Sequence, residues 1–304
     1  MQKSADMSVC VIGLGSMGFG MAASLLRAGF SVTGYDLNAD AMARLVALGG
    51  KAGQNPAEAA SGANVVLCVV VNAAQTESAL FGPDGAASAM AQGGVILSCA
   101  TMPPDAARDF AARAAKAGQD YLDTPISGGA VRAAAGELTI MASGKAAVFA
   151  RVRPVLDCIA TKVYELGDEA GVGAAFKIVN QLLAGVHIAA ACEAITFAKA
   201  MDLDIAKVYE VITASAGNSW MFENRVPHIL EGDYSPRSAV DIFTKDLGII
   251  SDMGRGMKFP TPIASMALQM FVMTAAAGMG RDDDASVARM IAGLAGLDLP
   301  GLER

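Results

Sequence analysis

Ser8-Val9-Cys10-Val11-Ile12-Gly13-Leu14-Gly15-Ser16-Met17-Gly18 is the stretch on which the fold turns. A short apolar run, Ser8–Ile12, reads as a strand that stops at a glycine, and Met17–Ala28 reads as a helix ended by Gly29. The junction has the pattern G-x-G-x-x-G. Gly13 permits the tight turn, Gly15 lets the backbone approach a diphosphate, and Gly18 allows close packing of helix on strand. Leu14, Ser16 and Met17 are the other residues of this loop, which opens a helix N-terminus suited to phosphate charge. Alone, the pattern is an ordinary strand–helix turn. Its context makes it a dinucleotide site: Asp36 ends the following strand, Ser31–Tyr35, about twenty residues on. A carboxylate there accepts both ribose hydroxyls and repels a 2′-phosphate, so the expected cofactor is NAD rather than NADP.

Strand and helix continue to alternate outward from this stretch. Asp40–Leu48 is helical and Pro56 sits at a helix start, while Asn64–Val71 is the continuous apolar run of a strand buried on both faces. Val95–Ser98 is a strand, Pro103-Pro104 open a helix through Ala117, and Asp120–Leu122, Glu137–Ala142 and Lys162–Leu166 read as further strands. The strands stop after Gly167. Val172 to about Met201, Asp204–Ala214, Ser238–Gly256, Pro262–Ala277 and Asp283–Gly293 all read as helices. The expected fold class is α/β: a Rossmann-type, doubly wound, mostly parallel sheet in residues 1–168, followed by an all-α domain in residues 169–304. Ligands of such sheets sit at the strand carboxyl ends, which makes Val71, Asn72 and Thr101 further cofactor candidates.

The composition narrows the partners. The chain has 304 residues, 53% of them apolar, and a net charge of −7. An acidic balance disfavours nucleic acid and anionic membranes as partners. Five cysteines occur without a CxxC pair, as expected of buried thiols in a reducing cytoplasm, and with only His187 and His228 no metal-ligand spacing is present. Met1–Ser8 has no apolar signal core. Phe259–Gly280 carries no charge, but Pro260, Pro262 and several polar residues interrupt it. It reads as a helix buried on all sides, in a homo-oligomer interface, rather than as a membrane span.

Four motifs in order carry a resemblance. The glycine loop continues into Met21-Ala22; Asp123-Thr124-Pro125-Ile126-Ser127-Gly128-Gly129 follows; then Gly173-Ala174-Ala175-Phe176-Lys177-Ile178-Val179-Asn180-Gln181; then Lys245-Asp246-Leu247, with Asp252 beyond. Together they resemble the nucleotide, substrate, catalytic and C-terminal cofactor motifs of the β-hydroxyacid dehydrogenases, across nearly the whole chain. The stretches Val71–Gln75, Gln181–His187, Ala216–Arg225 and Gly232–Asp241 are similar to a branch of that family that oxidises a four-carbon sugar acid at C2. Relatives with the same core motifs handle other small hydroxy acids or semialdehydes. Thr124 stands where the substrate motif commonly has alanine, Gln181 where many members have asparagine, and Ala100 where serine is usual.

Alcohol oxidation needs a hydride acceptor, a base and donors for the carboxylate. The base expected here is Lys177, desolvated by its apolar neighbours Phe176, Ile178 and Val179, with Asn180 one helical turn on to orient the substrate hydroxyl or the lysine. Ser127, Gly128 and Gly129 form a turn whose N–H groups and hydroxyl can grip a carboxylate. Asn218 and Ser219 are candidates for reading the extra hydroxyls of a sugar acid. The resemblance places Lys245 with the cofactor; its plainer alternative is a surface ion pair with Asp241, one turn earlier. Against the rival reading of a non-catalytic NAD sensor, a sensor has no need of Lys177 and Asn180.

Overall fold

The computed structural model describes residues 7–301. They form two compact units, divided between Lys177 and Ile178.

In the first unit, six strands pair in parallel: β1 (Ser8–Ile12), β2 (Ser31–Tyr35), β3 (Lys51–Ala52), β4 (Val65–Cys68), β5 (Val95–Ser98) and β6 (Asp120–Asp123), in the order β3-β2-β1-β4-β5-β6. Helices α1 (Gly18–Arg27), α2 (Ala39–Ala47), α3 (Pro56–Ala59), α4 (Ala73–Phe81) and α5 (Pro104–Lys116) connect them. The apolar side chains of β1, β4 and β5 alternate between two buried clusters: Val9, Val11, Val65 and Leu67 in one, Cys10, Ile12, Val66 and Cys68 in the other. Burial on both faces is why these strands read as continuous apolar runs. The strand order reverses between β1 and β4, so the ligand crevice of the sheet lies above their carboxyl ends.

The later strands differ from expectation. β7 (Ile126–Ser127), β8 (Leu138–Ala142) and β9 (Ala160–Glu165) form a separate three-stranded sheet, with α6 (Gly129–Ala135) and α7 (Ala146–Ile159) between them. β7 runs antiparallel to β8, and the same register continues back to an isolated bridge between Asp123 and Ser143. The chain leaves β6, turns at Thr124-Pro125 and pairs with β8, so it does not extend the parallel sheet.

Helix α8 (Val172–Ala200) carries the chain out of the first unit. The last strand ends at Glu165, yet the first unit extends to Lys177, because the first turn of α8 is bonded back to Asp123 and Ser143. Among the described residues of the second unit only helices occur: the rest of α8, α9 (Ile205–Thr213), α10 (Trp220–Glu231), α11 (Val240–Met257), α12 (Pro262–Thr274) and α13 (Val287–Ala295). Helix α10 runs through Pro227, which cannot donate to the carbonyl of Glu223; the Tyr209 hydroxyl takes that carbonyl at 3.2 Å. The core gathers Ile188, Ile195, Val226, Ile229, Phe243, Leu247 and Phe271. Helices α8 and Pro262–Met279 are long and apolar enough to cross a membrane by length and composition. Helix α12 is not buried on all sides within the chain: Ala264, Ala267, Phe271 and Thr274 face the core, whereas Ile263 and Met266 are about two-thirds exposed at 67% and 68%.

Candidate active site

The glycine loop sits above the reversal of strand order. Gly13 has φ +91°, and a Cβ there would lie 2.5 Å from the carbonyl oxygen of Val69, just past β4. A Cβ at Gly18 would lie 1.8 Å from the carbonyl oxygen of Gly13, so the loop closes on the helix only without side chains at both positions. Gly15 is different: a Cβ there would meet no protein atom within 4 Å. Packing therefore does not require glycine at 15, and the space in front of its backbone is open. The N-terminus of α1 receives no side-chain cap and has no acidic residue in its first turn, which suits an anionic group.

Asp36 is tied to this loop. Its carboxylate accepts Leu14 N–H at 2.6 Å and Asn38 N–H at 2.7 Å, one on each oxygen. A carboxylate offers about four acceptor sites, so both oxygens keep lone pairs for ribose hydroxyls. These residues fit a dinucleotide that lacks a 2′-phosphate. Asn72 is the N-cap of α4: its side chain accepts Gln75 N–H at 2.8 Å while Gln75 accepts Val71 N–H at 2.9 Å. Thr101 lies two residues before Pro103, the N-cap of α5, and so is not itself the cap.

Ser127 ends β7, and the next two residues have φ +142° (Gly128) and +76° (Gly129). A side chain at either would be strained. The Ser-Gly-Gly turn thus delivers a hydroxyl and successive N–H groups directly into the start of α6. Lys177 is the one buried lysine among the described residues, at 7% exposure. Of its apolar neighbours in sequence, Ile178 is buried as well, whereas Phe176 and Val179 are half or more exposed, at 52% and 61%. The expected burial of Lys177 is present.

The first turn of α8 is held by the end of β6. The buried Asp123 carboxylate accepts Gly171 N–H at 3.0 Å and Ala174 N–H at 2.7 Å, and Ser143 Oγ accepts Gly173 N–H at 2.9 Å. Burial raises the Asp123 carboxyl to about 6, against the opposing pull of the Ala174 and Gly171 N–H groups and the Ser143 hydroxyl.

In the second unit, Asn180 Nδ2 donates to Gln181 Oε1 at 2.9 Å, and Gln181 Nε2 donates to the buried Asp246, whose other oxygen pairs with Lys245 Nζ at 2.7 Å. Lys245 thus forms an ion pair with its neighbour Asp246. Asp241 instead lies beside Gly280, where a Cβ would come within 2.6 Å of its carboxylate. Asn218 and Ser219 border an apolar cavity of about 780 Å³ among α8, α9 and α10. Asn218 Nδ2 donates to Thr213 O at 3.1 Å and to Glu223, while Ser219 caps α10 through Phe222 N–H at 3.0 Å. These bonds shape the start of α10 and compete with the hydroxyl-reading role expected of both side chains.

Two family descriptions cover the chain. Residues 8–167 match the NAD-binding domain of 6-phosphogluconate dehydrogenase, and residues 171–291 match the NAD-binding domain of NADP-dependent 3-hydroxyisobutyrate dehydrogenase. The chain belongs to the β-hydroxyacid dehydrogenase family. It is 52% identical over 294 residues to an L-threonate dehydrogenase of Cupriavidus necator, covering 97% of this chain and 98% of the relative. It is 45% identical over 302 residues to an L-threonate dehydrogenase of Escherichia coli K12, covering 99% of each. A crystal structure described as 3-hydroxyisobutyrate dehydrogenase from Salmonella typhimurium superposes with a TM-score of 0.89 at 48% identity, covering 94% of this chain and all of that one.

As a member of this family the chain is an NAD-dependent dehydrogenase, and its fold is the expected parallel sheet domain followed by a helical one. Three polar residues escaped the reading from sequence: Asp123 and Ser143, which hold α8, and Asp246, which joins Gln181 to Lys245. Asp123 and Asp246 both lie inside recognised motifs, and that position was their only signal.

Proposed function

We propose that this chain oxidises L-threonate at C2 to the corresponding 2-oxo acid, with NAD as acceptor and Lys177 as general base. The observation that carries the substrate is identity of 45–52% with L-threonate dehydrogenases along 96–99% of this chain. NAD, when bound, supplies the hydride acceptor. The loop Gly13–Gly18 holds its diphosphate and Asp36 its adenosine ribose, while Val71, Asn72, Thr101 and Lys245 are assigned to the same cofactor. The Ser127 hydroxyl and the N–H groups of Gly128 and Gly129 hold the substrate carboxylate. Lys177 takes the proton of the C2 hydroxyl, and Asn180 orients that hydroxyl. Asn218 and Ser219 contribute to the choice of sugar acid through the loop they brace. The exposed apolar face of α12, with Ile263 and Met266, supports a homo-oligomer.

Initial rates with NAD on a panel of L-threonate, D-threonate, 3-hydroxyisobutyrate, L-serine and D-glycerate test the reading. The expected outcome is a kcat/KM for L-threonate at least about tenfold above every other acid, a margin of about 1.4 kcal/mol. A preference for 3-hydroxyisobutyrate would favour the second reading, which the description of the Salmonella structure supports.

A further inference from the structure

We propose that Asp123 is a positioning residue of the hydride-transfer step, a clamp that sets the Lys177 helix against the substrate turn. The inference rests on Lys177 as the base.

Helix α8 begins after Gly171, which has no side chain to cap it. Its first N–H groups are instead taken from a distance: Gly171 and Ala174 by Asp123, and Gly173 by Ser143. Asp123 and Ser143 also exchange backbone hydrogen bonds of 3.0 and 2.9 Å. The helix is pressed onto this pair, since a Cβ at Gly173 would lie 2.3 Å from Met141 O and 3.0 Å from Asp123 O. Lys177 follows Ala174 by three residues, about 4.5 Å along the axis.

The other end of the same ladder carries the carboxylate grip. The Asp123–Ser143 bridge, the Met141 N–H to Pro125 O bond of 3.0 Å, and the pairs Ile126–Ile140 and Ser127–Thr139 share one antiparallel register. Ser127 is four residues from Asp123, about 13 Å along the strand. The base and the substrate turn are thereby indexed to one rigid strand pair. A carboxylate buried without a cation is costly to the fold, so its placement here is better explained by what it holds than by stability. Misplacing reacting groups by about 1 Å costs on the order of 100-fold in rate.

The test compares Asp123→Asn with Lys177→Ala on whichever hydroxy acid of the panel turns over best. Asp123→Asn is expected to lose roughly 10- to 100-fold in kcat, with the NADH dissociation constant close to wild type and a melting temperature at neutral pH no lower than that of wild type. Its C2-deuterium isotope effect on kcat should be no smaller than that of wild type, because hydride transfer remains the slowed step. An Asp123→Asn kcat within about twofold of wild type, or a collapsed isotope effect, would overturn the clamp. If Lys177→Ala were also active, the base assignment would fall; if Lys177→Ala were dead and Asp123→Asn normal, the clamp alone would fall. Should Asp123→Asn not fold, Ser143→Ala decides: it removes the acceptor of Gly173 N–H and the hydroxyl that faces the Asp123 carboxylate, leaves that carboxylate in place, and is expected to lower kcat about three- to tenfold with NADH affinity intact, and an unchanged kcat refutes the proposal.

Discussion

Lys245 pairs at 2.7 Å with the buried carboxylate of Asp246, the residue beside it on α11. The other carboxylate oxygen accepts Gln181 Nε2, and Gln181 in turn accepts from Asn180. The glutamine that departs from the commoner asparagine thus gains the reach to bond across to α11. Gln181→Asn is expected to break the bond to Asp246 and destabilise the protein by about 1 kcal/mol, read as a lowered midpoint in urea. Lys245→Ala leaves the Asp246 carboxylate without its cation and is expected to cost more, about 2–3 kcal/mol.

The three loop glycines separate two kinds of constraint. Gly13→Ala and Gly18→Ala place a Cβ 2.5 and 1.8 Å from backbone oxygens and are expected to destabilise the first unit by more than about 2 kcal/mol. Gly15→Ala meets no protein atom within 4 Å. It is expected to melt like wild type and yet bind NADH at least about tenfold more weakly. Thermal melts alongside NADH fluorescence titrations check both halves.

Asp36→Ser removes the charge that opposes a 2′-phosphate and one acceptor of Leu14 N–H. NAD affinity should fall about tenfold while the NADP-to-NAD preference rises by one to two orders of magnitude. Steady-state kinetics with both cofactors read this directly.

How much of this was legible beforehand varied with the range of the forces involved. Ser8–Ile12, Val95–Ser98 and the long helix from Val172 are visible because burial imposes a periodicity that local sequence records. The two-residue strands Lys51–Ala52 and Ile126–Ser127 are too short to show a period. Helices α7 and α10 hide behind Pro154 and Pro227, and only the Tyr209 hydroxyl, supplied from another helix, explains how α10 carries its proline. The glycines, Asp36 and Lys177 were readable because their chemistry is local to a motif. The grip of Asp123 on Gly171 and Ala174 spans some fifty residues, so it was not visible in the chain order.

The Asp123 carboxyl carries a pH signature of its own. Its folded pKa, raised by burial to about 6, lies above the unfolded value. For a group raised in this way, stability is fully present below the unfolded pKa and is lost as pH rises through the folded pKa. Wild type should therefore lose on the order of 3 kcal/mol relative to Asp123→Asn between about pH 4 and pH 6, and the difference should then level off. Urea titrations of both proteins at several pH values from 4 to 8 check the slope, and a wild type that gains stability relative to Asp123→Asn as pH rises would have the wrong sign. Asp284, raised by burial to about 6 in the other unit, is common to both proteins and cancels in the comparison.

The most direct measurement is the turnover of Lys177→Ala set against its affinity for NADH. A buried amine acting as the base predicts a fall in kcat of roughly 1,000-fold or more, with the NADH dissociation constant within about threefold of wild type. Turnover within about tenfold of wild type, with NADH bound normally, would contradict it.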